Sequence, residues 1–164
     1  MTSPPPPVFY IAWTTSQGQF PSISRAEWAP ALVARLYNLV LNNFYVGSKF
    51  YRVLPGFVNQ WGVNGDPSIG EIYNWRRNFP GAIVEPQPGD TPLQPGQSNV
   101  AGAMAFSTSY LERRGQPGLS WNATAELFVN LVDNPRLDTN HFVPIAMVTS
   151  GLAALANCFS YGRM

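Results

Sequence analysis

Apolar and polar positions change their spacing several times along the chain. In VFYIAWTT, residues 8–15, Phe9, Ile11 and Trp13 fall on one face of an extended segment and Val8, Tyr10 and Ala12 on the other. Both faces are apolar, so this strand is expected to be covered on both sides. A turn at Gln17-Gly18 leads into QFPSIS, where Pro21 removes a ladder donor and points to an edge or a bulge. From Pro30 the period becomes helical: Leu32, Leu36, Leu39 and Val40 recur as one stripe, which predicts a helix over 30–42. Ser24 and Glu27 have capping-box spacing for an earlier start, but Pro30 favours the later one.

KFYRVL then reads as a strand, with Phe50, Arg52 and Leu54 on one face, ended by Pro55-Gly56, and FVNQWGV resumes the extended pattern. Residues 80–97 are dense in proline and glycine and form a long loop. VAGAMAFSTS and AELFVNLV predict two buried strands separated by the polar insertion YLERRGQPGLSWN. NPRLD predicts a turn and HFVPIAMVTS a further strand. Leu152, Leu155, Ala156 and Phe159 return to helical spacing, predicting a second helix over 151–160. Several short strands with one early and one late helix describe a mainly β domain, sandwich or barrel, packed by two helices. Residues 1–7 read as a proline-rich N-terminal tail in polyproline II form, and 8–164 as one domain.

Composition narrows the function. With 164 residues, 10 Lys+Arg and 9 Asp+Glu, the formal net charge is +1, too even a balance to offer a nucleic acid a basic surface. No apolar run approaches the length of a membrane span, and the N-terminus has neither the basic nor the apolar region of a secretory signal. The numbered chain therefore shows no recognisable signal or transit peptide, and an intracellular protein of otherwise unknown compartment is expected. Charged residues make up 12% of the chain, about half the ~25% usual for soluble domains. Part of the surface is thus expected to face other protein. Cys158, the single cysteine, sits among Leu, Ala and Phe and reads as a small core residue. No spacing of Cys, His, Asp and Glu suggests a metal, and no motif suggests a cofactor.

The position that asks for chemistry is Arg52, a cation within FYRVLPGFVNQWG, residues 50–62. Sharing a face with two apolar residues, its head needs water at a rim or a polar partner. The order of this segment, then AELFVNL, then DNPRLD, a strand and a last helix, resembles the cyclophilins over roughly residues 8–162. The usual family signature runs Phe-His-Arg-Val-(Ile/Val)-Pro-Gly-Phe, then Gln, then Ser-Gln-Phe-Phe-Ile, then Leu-Asp. The resemblance implies an antiparallel β-barrel capped by two α-helices that isomerises X-Pro bonds of a proline-containing peptide or protein. It makes Arg52 the electrostatic catalyst and places Phe57, Phe128 and Leu137 around a proline pocket, with Gln60 on substrate backbone. Taken singly, each phenylalanine also fits ordinary core packing, and Gln60 could pair with backbone. His141 lies near a groove histidine of many cyclophilins, and a strand-start histidine bonded locally fits equally well. The Asn122-Ala123-Thr124 sequon matters only in a secreted chain.

The chain departs from the family at several positions. Glu126 replaces the second residue of Ser-Gln-Phe-Phe-Ile, exchanging a neutral amide for a charged acceptor among the substrate-binding residues. It is expected to be able to pair with Arg52 and hold it off substrate. Arg136 stands where many members have tryptophan, Ile145-Ala146 replaces a common Phe-Gly, and the insertion containing ERRGQPG is long enough to cover the groove. CFSYGRM ends the sequence where relatives continue into a strand that pairs with the first, so the final strand is expected to be missing and the first strand's edge open. Neighbouring subunits are therefore expected over residues 8–15 and 80–97. Together these departures favour a cyclophilin-like accessory structural subunit with weakened or lost catalysis. A competent isomerase that assists folding of X-Pro proteins is the alternative.

Overall fold

The computed structural model describes residues 3–70, 72–73, 97–111, 120–140 and 142–160, with backbone alone at 108–111 and 120–122. Nine strands and four helices run β1 (Val8–Ile11), β2 (Thr14–Thr15), β3 (Gly18–Gln19), β4 (Ser22–Arg25), α1 (Pro30–Leu41), β5 (Arg52–Val53), β6 (Val58–Trp61), α2 (Pro67–Gly70), β7 (Ala103–Leu111), β8 (Ser120–Asn130), α3 (Pro135–Thr139), β9 (Pro144–Val148) and α4 (Leu152–Ala156), counted among the described residues. Seven strands form one antiparallel sheet in the order β1-β4-β9-β7-β8-β6-β5, and β2 and β3 make a separate small hairpin. Among the described residues the sheet does not close: β1 and β5 are its edges, and no strand follows α4.

The strongest periodic signals fold as their spacing predicts. Helix α1 spans Pro30–Leu41 and buries Leu32, Val33, Leu36 and Leu39 against the sheet. Along β8, Ala123, Ala125, Leu127 and Val129 enter the main core, while Glu126 and Phe128 occupy the opposite face. The two faces have different fates. One is sealed by α1 and by a stacked or edge-on aromatic set of Trp13, Phe20, Phe50 and Trp61. The other carries a smaller apolar cluster of Val58, Ala105, Phe128 and Leu137.

Several expectations are corrected. The first strand is covered on one face only: Ile11 and Trp13 are buried, but Val8 is 39% and Tyr10 72% exposed. Nothing in the described structure packs over that outer face of the sheet's edge strand. Pro21 marks neither an edge nor a bulge; it lies between β3 and β4, so its missing N–H falls where no ladder bond is needed, and β4 is interior, paired with β1 and β9. The strand around Arg52 shrinks to Arg52–Val53, too short to hold an alternation, so Phe50 packs inward on Trp61 while Arg52 and Leu54 remain exposed.

NPRLD forms α3 rather than a turn, with Pro135 pre-set for the first helical position. The last helix covers Leu152–Ala156; Asn157 caps it, and Phe159, expected on its apolar stripe, is 72% exposed. Cys158 is half-buried rather than central, and burial pushes its thiol pKa up. The strands flanking the polar insertion run further into it than expected, as far as Leu111 opposite Ser120. The rest of that insertion, most of the 80–97 loop and His141 lie outside the described residues.

Candidate active site

The site begins with a tight turn. Pro55 has the fixed φ suited to the second position of a β-turn, Gly56 takes φ 72° at the third, and Phe57 N–H donates to Leu54 O at 3.0 Å. This turn sets Arg52 opposite Gln60 and Val53 opposite Asn59. Pairing then carries the register across the sheet: Gln60 faces Phe128 on β8, Phe128 faces Ala105 on β7, and Ala105 faces Pro144 on β9. Partners across antiparallel strands share a face. Arg52, Gln60, Phe128 and Ala105 therefore form one row, although 76 positions separate the first from Phe128 in sequence (128 − 52).

Hydrogen bonding orients the polar end of that row. Arg52 Nη1 donates to Gln60 Oε1 at 2.6 Å, and Gln60 Nε2 donates to Ser107 Oγ at 2.7 Å. A guanidinium has no acceptor, so the amide must turn its oxygen to Arg52 and its nitrogen to Ser107. Gln60 is buried and Arg52 exposed. The remaining guanidinium N–H groups meet no partner among the described residues, and Arg52 Cζ stands 5.9 Å from the centre of the Phe57 ring.

Beside the guanidinium, Val58, Ala105, Phe128 and Leu137 form a buried apolar cluster, with the half-buried Phe57 and Phe142 packed against it. Phe128 and Phe142 meet edge-on, with ring centres 5.5 Å apart. A chain of side-chain amides fastens the walls. Asp138 on α3 accepts from both Asn99 N–H and Asn99 Nδ2, and the same Nδ2 reaches Phe142 O at 2.8 Å. Asn130 Nδ2 donates to Asn99 Oδ1, and Asn134 Nδ2 donates to Asn130 Oδ1 and to Phe57 O. Asn99 and Asn130 are buried, so these bonds satisfy groups that would be costly to leave unpaired.

The structure thus brings Arg52, Phe57, Gln60, Phe128 and Leu137 together. Glu126 belongs to the same face but not to the pairing expected for it: its carboxylate accepts a hydrogen bond from Tyr51 Oη instead of an ion pair from Arg52. Arg136 is exposed on α3, next to Leu137. His141, the remaining sequence candidate, falls outside the described residues. Ser107, Phe142 and the amide chain escaped the sequence reading. Their positions follow from strand register and from α3, which no local pattern announced.

The fold has counterparts in known structures. The fold resembles a cyclophilin-type peptidyl-prolyl cis-trans isomerase from Cryptosporidium parvum, at 15% identity and a TM-score of 0.68, over 93% of this chain and 86% of that one. It also resembles the cyclophilin AquaCyp293 from Hirschia baltica, at 18% identity and a TM-score of 0.61, over 93% of this chain and 67% of that one. The Mimivirus cyclophilin matches at 20% identity and a TM-score of 0.58, over 90% of this chain and 73% of that one. No curated protein sequence is significantly similar to the chain. The family model for the cyclophilin type peptidyl-prolyl cis-trans isomerase matches residues 10–158. By that match, the chain belongs to the cyclophilin-type peptidyl-prolyl cis-trans isomerase family.

Proposed function

We infer that this domain binds X-Pro segments and catalyses their cis/trans isomerisation, with Arg52 as the electrostatic catalyst. The barrier to be lowered, ~18–20 kcal/mol, comes from delocalisation of the amide nitrogen's lone pair into the carbonyl. When the bond twists, that lone pair localises on the proline nitrogen and can accept a hydrogen bond. A donor placed to meet it there stabilises the transition state more than either planar isomer.

The apolar surface of Phe57, Phe128 and Leu137 suits a proline ring, and Arg52 stands beside it. Gln60 holds one nitrogen of the guanidinium and leaves the others for substrate. The step forms no covalent intermediate and requires no proton transfer from the protein. What carries this reading is the state of Arg52: its hydrogen bond is to a neutral amide, while the carboxylate expected to blunt it is engaged by Tyr51. A protease-coupled or NMR-exchange assay on a Xaa-Pro peptide tests it. A rate equal to the uncatalysed one, or unchanged by Arg52→Ala, would sink it.

A second reading, an accessory structural subunit with weakened or lost catalysis, is favoured by a different observation. Strand β1 is an open edge of the sheet, with Val8 and Tyr10 exposed, and an unpaired edge is a template for another chain. A neighbouring subunit over residues 8–15 would cover it, and the same reading expects one over 80–97. Native extracts fractionated by size distinguish the readings: a persistent large complex supports the subunit, and a free monomer argues against it.

A further inference from the structure

The groove carries a fixed negative charge for which the catalytic reading has no use. Glu126 lies two residues along β8 from Phe128, so its Cα is about 7 Å from the Cα of that residue of the apolar cluster. Its Oε2 is held by Tyr51 Oη, and Tyr51 is buried, so the carboxylate is not free to swing away. Oε1 meets no partner among the described residues. The neighbouring strand leaves this position uncrowded, because β6 continues into Gly62. There the backbones approach so closely that a Cβ would lie 2.6 Å from Ala125 O and 2.8 Å from Glu126 Cα. Gly62 also has φ 110°, which disfavours any side chain at that point.

A half-buried, oriented charge acts more strongly on a ligand than one in open solvent. Arg52, also charged and on this face, is bonded to Gln60. The geometry points to Glu126 as a specificity-determining residue that selects peptides carrying a lysine or arginine within two residues of the bound proline. An extended peptide rises about 3.3 Å per residue, so a side chain two positions from a proline seated on Phe128 comes level with Glu126. A cation there meets Oε1, an acidic side chain meets like charge, and an amide gains little. This inference rests on the isomerase reading for the seat of the proline.

The test is a set of capped peptides with a central proline, in which Lys, Gln or Glu occupies in turn each position within two residues of it. Affinity is read by fluorescence anisotropy and turnover by NMR exchange. At one position the Lys peptide is expected to be favoured over the Glu peptide by about fivefold at low salt. The ratio is expected to fall toward one as salt rises and in Glu126→Gln, and partway in Tyr51→Phe. Equal treatment of Lys and Glu at every position, or a ratio that survives Glu126→Gln, overturns the assignment. If that variant does not fold, a salt-insensitive ratio in the wild-type protein overturns it alone. Charge-selective binding without turnover would remove the isomerase reading and keep this one, and turnover without charge selection would do the reverse.

Discussion

Arg35 and Arg52 each hold a guanidinium near an aromatic ring and beside the same stretch of sheet, yet they do opposite work. Arg35, on α1, stands 4.7 Å from the centre of the Tyr73 ring and donates through Nε to Thr124 O on β8. Burial lowers its pKa from the ordinary arginine value, and nearby Tyr45, whose hydroxyl pKa burial pushes well above the usual range, donates a hydrogen bond to Ala125 O. Four residues further along β8, Phe128 lies in the apolar cluster beside which Arg52 stands exposed, tied to Gln60. The difference teaches what separates a cation committed to structure from one left available to a ligand. The first is desolvated and committed to backbone that needs a donor, and the second is oriented but left with donors unused.

That contrast can be broken most directly by Arg52→Ala. Loss of one transition-state donor is expected to lower kcat/KM by about 100-fold. The urea midpoint should shift little, since an exposed side chain contributes within about 0.5 kcal/mol. Arg35→Ala should do the opposite, costing about 2 kcal/mol by urea unfolding because Thr124 O loses a charged donor in a half-buried place. The folded fraction should keep its turnover. A large loss of activity without a loss of stability would put Arg35 in the machinery and end the distinction.

Lysine at each position sharpens the comparison, because it keeps the charge and loses the planar fork. Arg52→Lys is expected to lower kcat by about tenfold, as one charge-assisted bond is lost, with a smaller change in KM. The smallest effects come from the rings. Tyr73→Leu should cost about 1 kcal/mol of stability, and Phe57→Leu should lower kcat/KM a few-fold through the cation–π contact and the pocket wall, by about 0.5–1 kcal/mol for the former. Equal effects of the two on both readouts would mean that the rings do not divide as their arginines do.

How far the site could be read from the chain depended on the range of the interaction. The hairpin from Arg52 to Gln60 is local, and Pro55-Gly56 dictates its turn, so the catalytic candidate, Phe57 and Gln60 could be placed together before any strand was paired. Phe128 and Leu137 were reached through resemblance, and the structure puts both in one apolar cluster. Glu126 was named among the substrate-binding residues by the same resemblance, and its donor in the structure is Tyr51 rather than Arg52. The competing donor, Tyr51, is 75 positions away, and its preference over Arg52 depends on how an irregular residue enters β5. Covering both faces of the first strand was likewise misjudged: apolar side chains at Val8 and Tyr10 say nothing about whether another layer exists to meet them.

Sequence alone determined the elements whose cause is local: the apolar stripe of α1, the alternation of β8 and the Pro-Gly turn that presents Arg52. Periodicity and backbone stereochemistry act over a few residues, so they are written where they act. Tertiary structure decided which face of each strand was sealed, which carboxylate met which donor, and how Ser107, Phe142 and the asparagine chain converge around one apolar cluster. Those outcomes depend on strand register and on competition among groups remote in the chain, and only the assembled sheet resolves that competition.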